Sequence, residues 1–238
     1  VYGTPAEEGG AGKVYMVRAG LMDDVDVMLH WHAGSQNSAS ASSSLANKSG
    51  KFRFYGQSAH AASAPWRGRS ALDGVEAMHD MVNMMREHGT PASRMHYVIT
   101  SGGSAPNVIP DFAESYIYVR HPDPNEVRRM FDWVTRIAEG AAMGTETRME
   151  LEVIHGIYNV LPNEALGRAM HANLTAVGGV EYTAEERRFA EMIQNTFPEG
   201  VPPIERANEI EPFEVIEVGQ GGSTDVGDVS WTVPTAGL

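Results

Sequence analysis

The sequence predicts an α/β chain in which a ferredoxin-like βαββαβ unit interrupts a second α/β domain. Two observations carry this. Between about 49 and 158 the hydrophobic period alternates between two and 3.6, giving strand, helix, two strands, helix and strand in turn. Beyond 159 helical periodicity returns, closing on a short strand and a Gly-rich run, while the Gly-punctuated residues ahead of 35 look β-rich. The divisions are 1–48 for the first part of the α/β domain, 49–158 for the insert and 159–238 for the second part.

Within 1–34 the stretch Val25–His32 has the composition of a strand, and Val1–Pro5 that of a strand's end. The Ser/Ala/Asn-rich residues 35–50 predict a loop or extended connection. Phe52 and Phe54 alternate with Arg53 and Tyr55, opening the insert with a strand. Leu72, Val75, Met78, Met81, Val82 and Met85 follow at helical spacing, with a stop near Gly89. Tyr97–Thr100 is the second strand, ended by Gly102-Gly103. In Tyr116–Arg120 the pair Ile117 and Val119 share one face, and Tyr116, Tyr118 and Arg120 the other. The two helices are expected on the Ile117/Val119 face.

Asp123-Pro124-Asn125-Glu126 reads as an N-cap, a proline at the first helical position and an acid at the capping-box position. Val127, Met130, Phe131, Val134, Ile137 and Ala141 carry that helix to Gly144, and Met149, Leu151 and Val153 alternate in a fourth strand. Helices are predicted at 163–177 and 183–196, then a Pro/Glu-rich link at 198–212, a strand at 213–218 and the Gly-rich run Gly219–Gly227.

The 238 residues are 42% hydrophobic with a net charge of −13. No apolar run approaches the roughly 18 residues needed to span a bilayer. So acidic a surface argues against nucleic acid or an anionic membrane as principal partner. With no cysteine there is no disulfide, thiolate nucleophile or zinc–cysteine site. No basic and apolar leader pattern opens the chain, so the cytoplasm is the expected location. Val1 is not methionine and the last residues stop as a strand begins, so the chain reads as an internal stretch of a longer protein.

Glu7-Glu8 sits between Pro5 and Gly9-Gly10. Adjacent carboxylates point in different directions, so one can bind a metal while its neighbour handles a water's proton; two surface glutamates are the plainer reading. His30 and His32, at i and i+2 of a strand, project from one face, which is a metal-ligand spacing as well as that of ordinary strand-end histidines. His60 lies among small residues after the first insert strand, where a loop imidazole can approach a substrate. Asn107, between two prolines, is either a turn residue or a polar contact. Arg120 either clamps a carboxylate bidentately or packs over tyrosine rings. The Gly219–Asp225 run lacks the lysine of a phosphate loop and predicts a tight loop, with Asp225 and Asp228 as supporting groups.

Thr4–Gly10, Val25–His32, Gly56–Ala62 and Asn107–Pro110, in this order, resemble the dinuclear-metal aminoacylase/carboxypeptidase family of amidohydrolases. The resemblance covers nearly the whole chain. It implies a zinc-peptidase-like α/β domain carrying the ferredoxin-like unit as a lid and dimerisation domain. It also implies Glu7 as general base, Glu8 and His32 as ligands of two divalent metal ions (zinc or manganese), and no ligand role for His30. His60 would be the lid histidine that stabilises the oxyanion, in many members reaching across a dimer, with Asn107 and Arg120 holding the substrate's carbonyl or carboxylate.

The expected substrate is a small-molecule amide, p-aminobenzoyl-glutamate or a related N-acyl amino acid. A homodimer through the lid, or a heteromer with a related subunit, is the expected assembly. The alternatives are a broader aminoacylase or dipeptidase, and a noncatalytic oligomerisation module. The family's remaining metal ligands would fall before Val1 and after Leu238, so this stretch alone is expected to bind metal weakly and to be inactive.

Overall fold

The structure is a computed structural model and describes residues 1–198, 200–219 and 221–238. Gln220 of the Gly-rich run and Glu199 of the Pro/Glu-rich link lie outside the described residues.

The chain opens with a turn and helix α1, Gly12–Arg18, before strand β1, Met28–His30. The expectation of a β-rich opening is therefore corrected: the Val1–Pro5 segment is no strand, and Val14–Val17 are helical. Tertiary packing overrides the β-propensity of these valines. Met16 and Val17 lie against a small core of Met22, Val229 and Val233.

Strand β2, Ala41–Ser42, and the first part of β3, Ala46–Tyr55, fall in the segment expected to be a connection. The signal was hidden because β3 begins with small residues beneath helix α3, Pro124–Gly144. A Cβ on Gly50 would come within 2.8 Å of Leu151 and 3.0 Å of Phe131. Close approach favours glycine there, and glycine carries no hydrophobic period.

Helix α2, Ala71–Arg86, strand β4, Arg94–Ser101, strand β5, Phe112–His121, helix α3 and strand β6, Arg148–Ile157, complete the insert. The sheet order is β4-β5-β3-β6, all antiparallel. Both helices cover one face, over a core of Phe52, Phe54, Val75, Met78, Ile117, Val119, Met130, Phe131 and Val134. The opposite face is polar, with Glu114 between Arg53 (2.7 Å) and Lys51 (3.4 Å). At the start of α3 the Asp123 side chain accepts from Asn125 N at 2.8 Å. Glu126 pairs with Arg129 rather than closing a capping box.

After the insert come helix α4, Glu164–Val177, helix α5, Ala184–Gln194, strand β7, Val215–Ile216, helix α6, Val226–Ser230, and strand β8, Thr235–Gly237. These return to the opening segment: β8 pairs in parallel with β1, and β7 in parallel with β2. Among the described residues no helix is long and apolar enough to cross a membrane.

Candidate active site at the Glu-Glu turn and the lid

Glu7 and Glu8 lie in a turn that leads into α1, not at a strand end. The turn is tightly closed. Gly10 N donates to Ala6 O at 3.0 Å, and a Cβ on Gly12 would sit 2.1 Å from the Pro5 carbonyl oxygen. Ala6 (φ 61°) and Ala11 (φ 51°) both adopt the left-handed conformation that disfavours residues with a Cβ. Such strain persists only where its surroundings hold it. Glu7 is half-buried and Glu8 exposed. Behind the turn, the fully buried Asp225 accepts from Lys13 N at 2.9 Å and from Lys13 Nζ at 2.8 Å.

His30 and His32 lie on and just beyond β1. His30 packs against Gly237 of β8, where a Cβ would meet its ring at 2.4 Å. Burial, then the charge of Lys13 and the neighbouring His32, push its imidazole below the ordinary value. His30 thus packs between β1 and β8. His32 is exposed, and its Nδ1 lies 2.8 Å from Ala33 O. A carbonyl only accepts, so Nδ1 donates here, and in the neutral tautomer this selects, Nε2 carries the lone pair a metal ligand uses. His32 and Glu8 thus have the right donor chemistry for a divalent cation. They are two donors only: among the described residues no group of three or more His, Asp or Glu side chains is placed to hold a metal ion.

At one end of the lid sheet, the loops carrying His60 and Asn107 clasp each other. Ala61 N donates to Asn107 O at 2.9 Å, and Ile109 N to Ala59 O at 3.0 Å. His60 Nδ1 accepts from Ala62 N and Ser63 N, each at 3.2 Å. That fixes the proton of the neutral ring on Nε2, leaving an exposed N–H donor. The exposed Asn107 stands beside it. A cleft of about 780 Å³ lined by Ala61, Arg69, Asp73 and Val108 opens here.

Arg120 is at the other end of β5, eight residues from Phe112, or roughly 26 Å at strand rise. Its guanidinium lies over Tyr118 at 5.4 Å, and Nη1 donates to Ser223 Oγ at 3.3 Å. Its Nε is buried with no partner among the described residues. The Glu-Glu turn belongs to this end. Burial, a hydrogen bond with Tyr116 and the charge of Glu8 push the Tyr118 phenol up to about 12. One chain therefore brings the Glu-Glu turn to the Tyr118 end of the sheet, and holds His60 and Asn107 at the other.

Sequence reasoning missed His155, which bonds Ser49 Oγ at 3.0 Å through Nδ1 and lies 5.5 Å from the Tyr118 ring. Burial lowers its pKa, opposed by the Gly9 backbone of the Glu-Glu turn. Alternation from Met149, Leu151 and Val153 assigns His155 to the helix side. A bulge at Ser49/Gly50 shifts the register and turns it to the polar face. Lys13 and Ser223 were also missed, since neither stands in a pattern that marks it. Asp228 accepts from Tyr158 N at 3.0 Å, a structural contact.

Residues 46–146 match the peptidase dimerisation domain of the M20 family. The chain is 39% identical to the B-subunit of p-aminobenzoyl-glutamate hydrolase from Escherichia coli (strain K12), over 99% of this chain and 54% of that protein. It is 31% identical to Xaa-Arg dipeptidase of Homo sapiens, over 98% of this chain and 47% of that one. The solved aminobenzoyl-glutamate utilization protein from Klebsiella pneumoniae superposes with a TM-score of 0.67 at 22% identity, covering 98% of this chain and 55% of its own. The chain spans about half the length of the curated relatives it matches. A mixed α/β fold, together with these similarities, leads to one conclusion: residues 46–146 carry the peptidase dimerisation domain of the M20 family, within a chain similar along its length to a p-aminobenzoyl-glutamate hydrolase subunit and to a dipeptidase.

Proposed function

We propose that the complete protein hydrolyses the amide bond of p-aminobenzoyl-glutamate or a related N-acyl amino acid. The observation that carries this reading is the tautomer of the neutral His60 ring, whose Nδ1 accepts from two backbone amides of a lid loop and whose exposed Nε2 is left as an N–H donor. Glu8 and His32 would be among the residues holding divalent metal ions, zinc or manganese; when bound, such ions supply a water of lowered pKa and polarise a carbonyl.

The chain's own groups do the rest. Glu7 takes the proton of the attacking water and returns it to the leaving amine. His60 Nε2–H donates to the oxyanion of the tetrahedral intermediate, a contribution of roughly 3–4 kcal/mol where comparable donors have been removed. Asn107 holds the carbonyl, and Arg120 takes a substrate carboxylate. Since His60 and Arg120 stand at opposite ends of one sheet, His60 and Asn107 serve the site of a second protomer. That protomer is a copy of this chain or a related one, the latter suggested by relatives named for two different subunits of one hydrolase. This stretch alone, with two metal donors, does not turn over.

The test is hydrolysis of p-aminobenzoyl-glutamate by the complete, metal-loaded protein. Glu7→Ala and His60→Ala each lower kcat by at least about a hundredfold, and chelation abolishes turnover. Unchanged rates in both variants would mark a noncatalytic assembly module instead. A dipeptidase reading, favoured by similarity to Xaa-Arg dipeptidase, predicts a higher kcat/KM on Xaa-Arg dipeptides than on p-aminobenzoyl-glutamate.

A further inference from the structure

We infer that Ser223 and Asp225 form one positioning loop that sets both halves of the site in this chain, Asp225 holding the Glu7–Glu8 turn and Ser223 holding the Arg120 guanidinium. The inference rests on the hydrolase reading above.

The Glu-Glu turn is strained despite its own Gly10 N to Ala6 O hydrogen bond. Its ends meet where Gly12 touches the Pro5 carbonyl, and two left-handed alanines flank the carboxylates. Helix α1, which follows, has no side-chain cap at its start. What fixes the closing point is Asp225, 1% exposed, gripping both the backbone N and the ammonium of Lys13. Removing one partner of such a pair strands a buried charge, so the grip is strong where it exists. The turn's geometry is thereby referred to the Gly-rich loop more than two hundred residues along the chain.

Two residues earlier on that loop, Ser223 Oγ accepts from Arg120 Nη1. Arg120 has no carboxylate partner among the described residues, and its buried Nε is unpaired. Stacking on Tyr118 fixes the plane of the guanidinium, and Ser223 fixes its rotation within that plane, leaving the other N–H groups for a substrate carboxylate. Since the two contacts are made at i and i+2 of one short loop, the distance from Glu7 to Arg120 is set by the loop. Ser223 and Asp225 are positioning residues: each acts through a partner and touches no reacting atom.

Steady-state kinetics on p-aminobenzoyl-glutamate with the complete, metal-loaded protein test this. Asp225→Asn is expected to lower kcat at least about tenfold with KM within about twofold. Ser223→Ala is expected to raise KM at least about threefold with kcat within about twofold. Lys13→Met reproduces the Asp225→Asn loss and Lys13→Arg restores most of it; if Asp225→Asn does not fold, Lys13→Met carries the expectation. A loop that merely supports the fold would move kcat and KM together in both variants, and that result, or no change in either, overturns the inference. Glu7→Ala run in parallel separates the two levels, because parental activity there sinks the hydrolase reading itself.

Discussion

His79 is buried in α2, with Nε2 2.7 Å from Ser115 Oγ and its ring stacked on Tyr97 at 3.7 Å. Burial pushes its imidazole down to about 4, with Asp80 opposing and Arg86 assisting. The native ring therefore resists a proton that the unfolded chain accepts below about pH 6.5. Stability is full above about pH 6.5, declines as the pH falls toward 4 and is flat below. The window is worth about 3 kcal/mol. Denaturant midpoints measured from about pH 7 to about pH 4 should fall accordingly, and His79→Gln, which keeps a partner for Ser115, should flatten that slope. At Gly12 the expectation is steric. Gly12→Ala drives a methyl into the Pro5 carbonyl, and thermal melts should show a loss of about 1–3 kcal/mol.

The elements of the lid differ in how plainly the sequence announces them. Both lid helices are written in large apolar residues at 3.6 spacing, and their bounds follow closely. The first half of β3 is written in alanine, serine and glycine, which pack by closeness rather than by size, so no period reveals it. Of the site, the composition around Glu7, His32, His60 and Asn107 is visible in short motifs. The split between the two ends of β5 is not, because no local pattern reports which end of a strand a distant loop will meet. Within the lid, Phe131 lies 6.0 Å from Phe52, and Phe131→Ala should cost about 3–5 kcal/mol in denaturant unfolding. The outer strand β4 leaves Val98 and Ile99 exposed, with Met84 of α2 also exposed. In a protein carrying a dimerisation domain, this edge is where a second lid is expected to pair. Val98→Lys should shift the complete protein toward a smaller species in size-exclusion chromatography with light scattering.

At the scale of the whole molecule, roughly 26 Å of β5 lies between Phe112, at the His60 end, and Arg120, so the proposed reaction is expected to draw on two chains. Mixing His60→Ala and Glu7→Ala proteins, each slowed at least about a hundredfold alone, should therefore restore activity. A mixed dimer holds one site with Glu7 from one chain and His60 from the other, giving about a quarter of the parental rate at equal mixing. No recovery after the chains exchange partners would mean that each site is assembled within one chain. The pairing of Asn47 with Ile157 across β3 and β6 has a consequence of another kind. The excursion through the lid departs and comes home at neighbouring rungs of one ladder, so a brief Gly-Ser bridge from Leu45 to Tyr158 would close the gap. Evolution could graft or exchange such a module without disturbing its host, and a protein engineer should be able to transplant it whole.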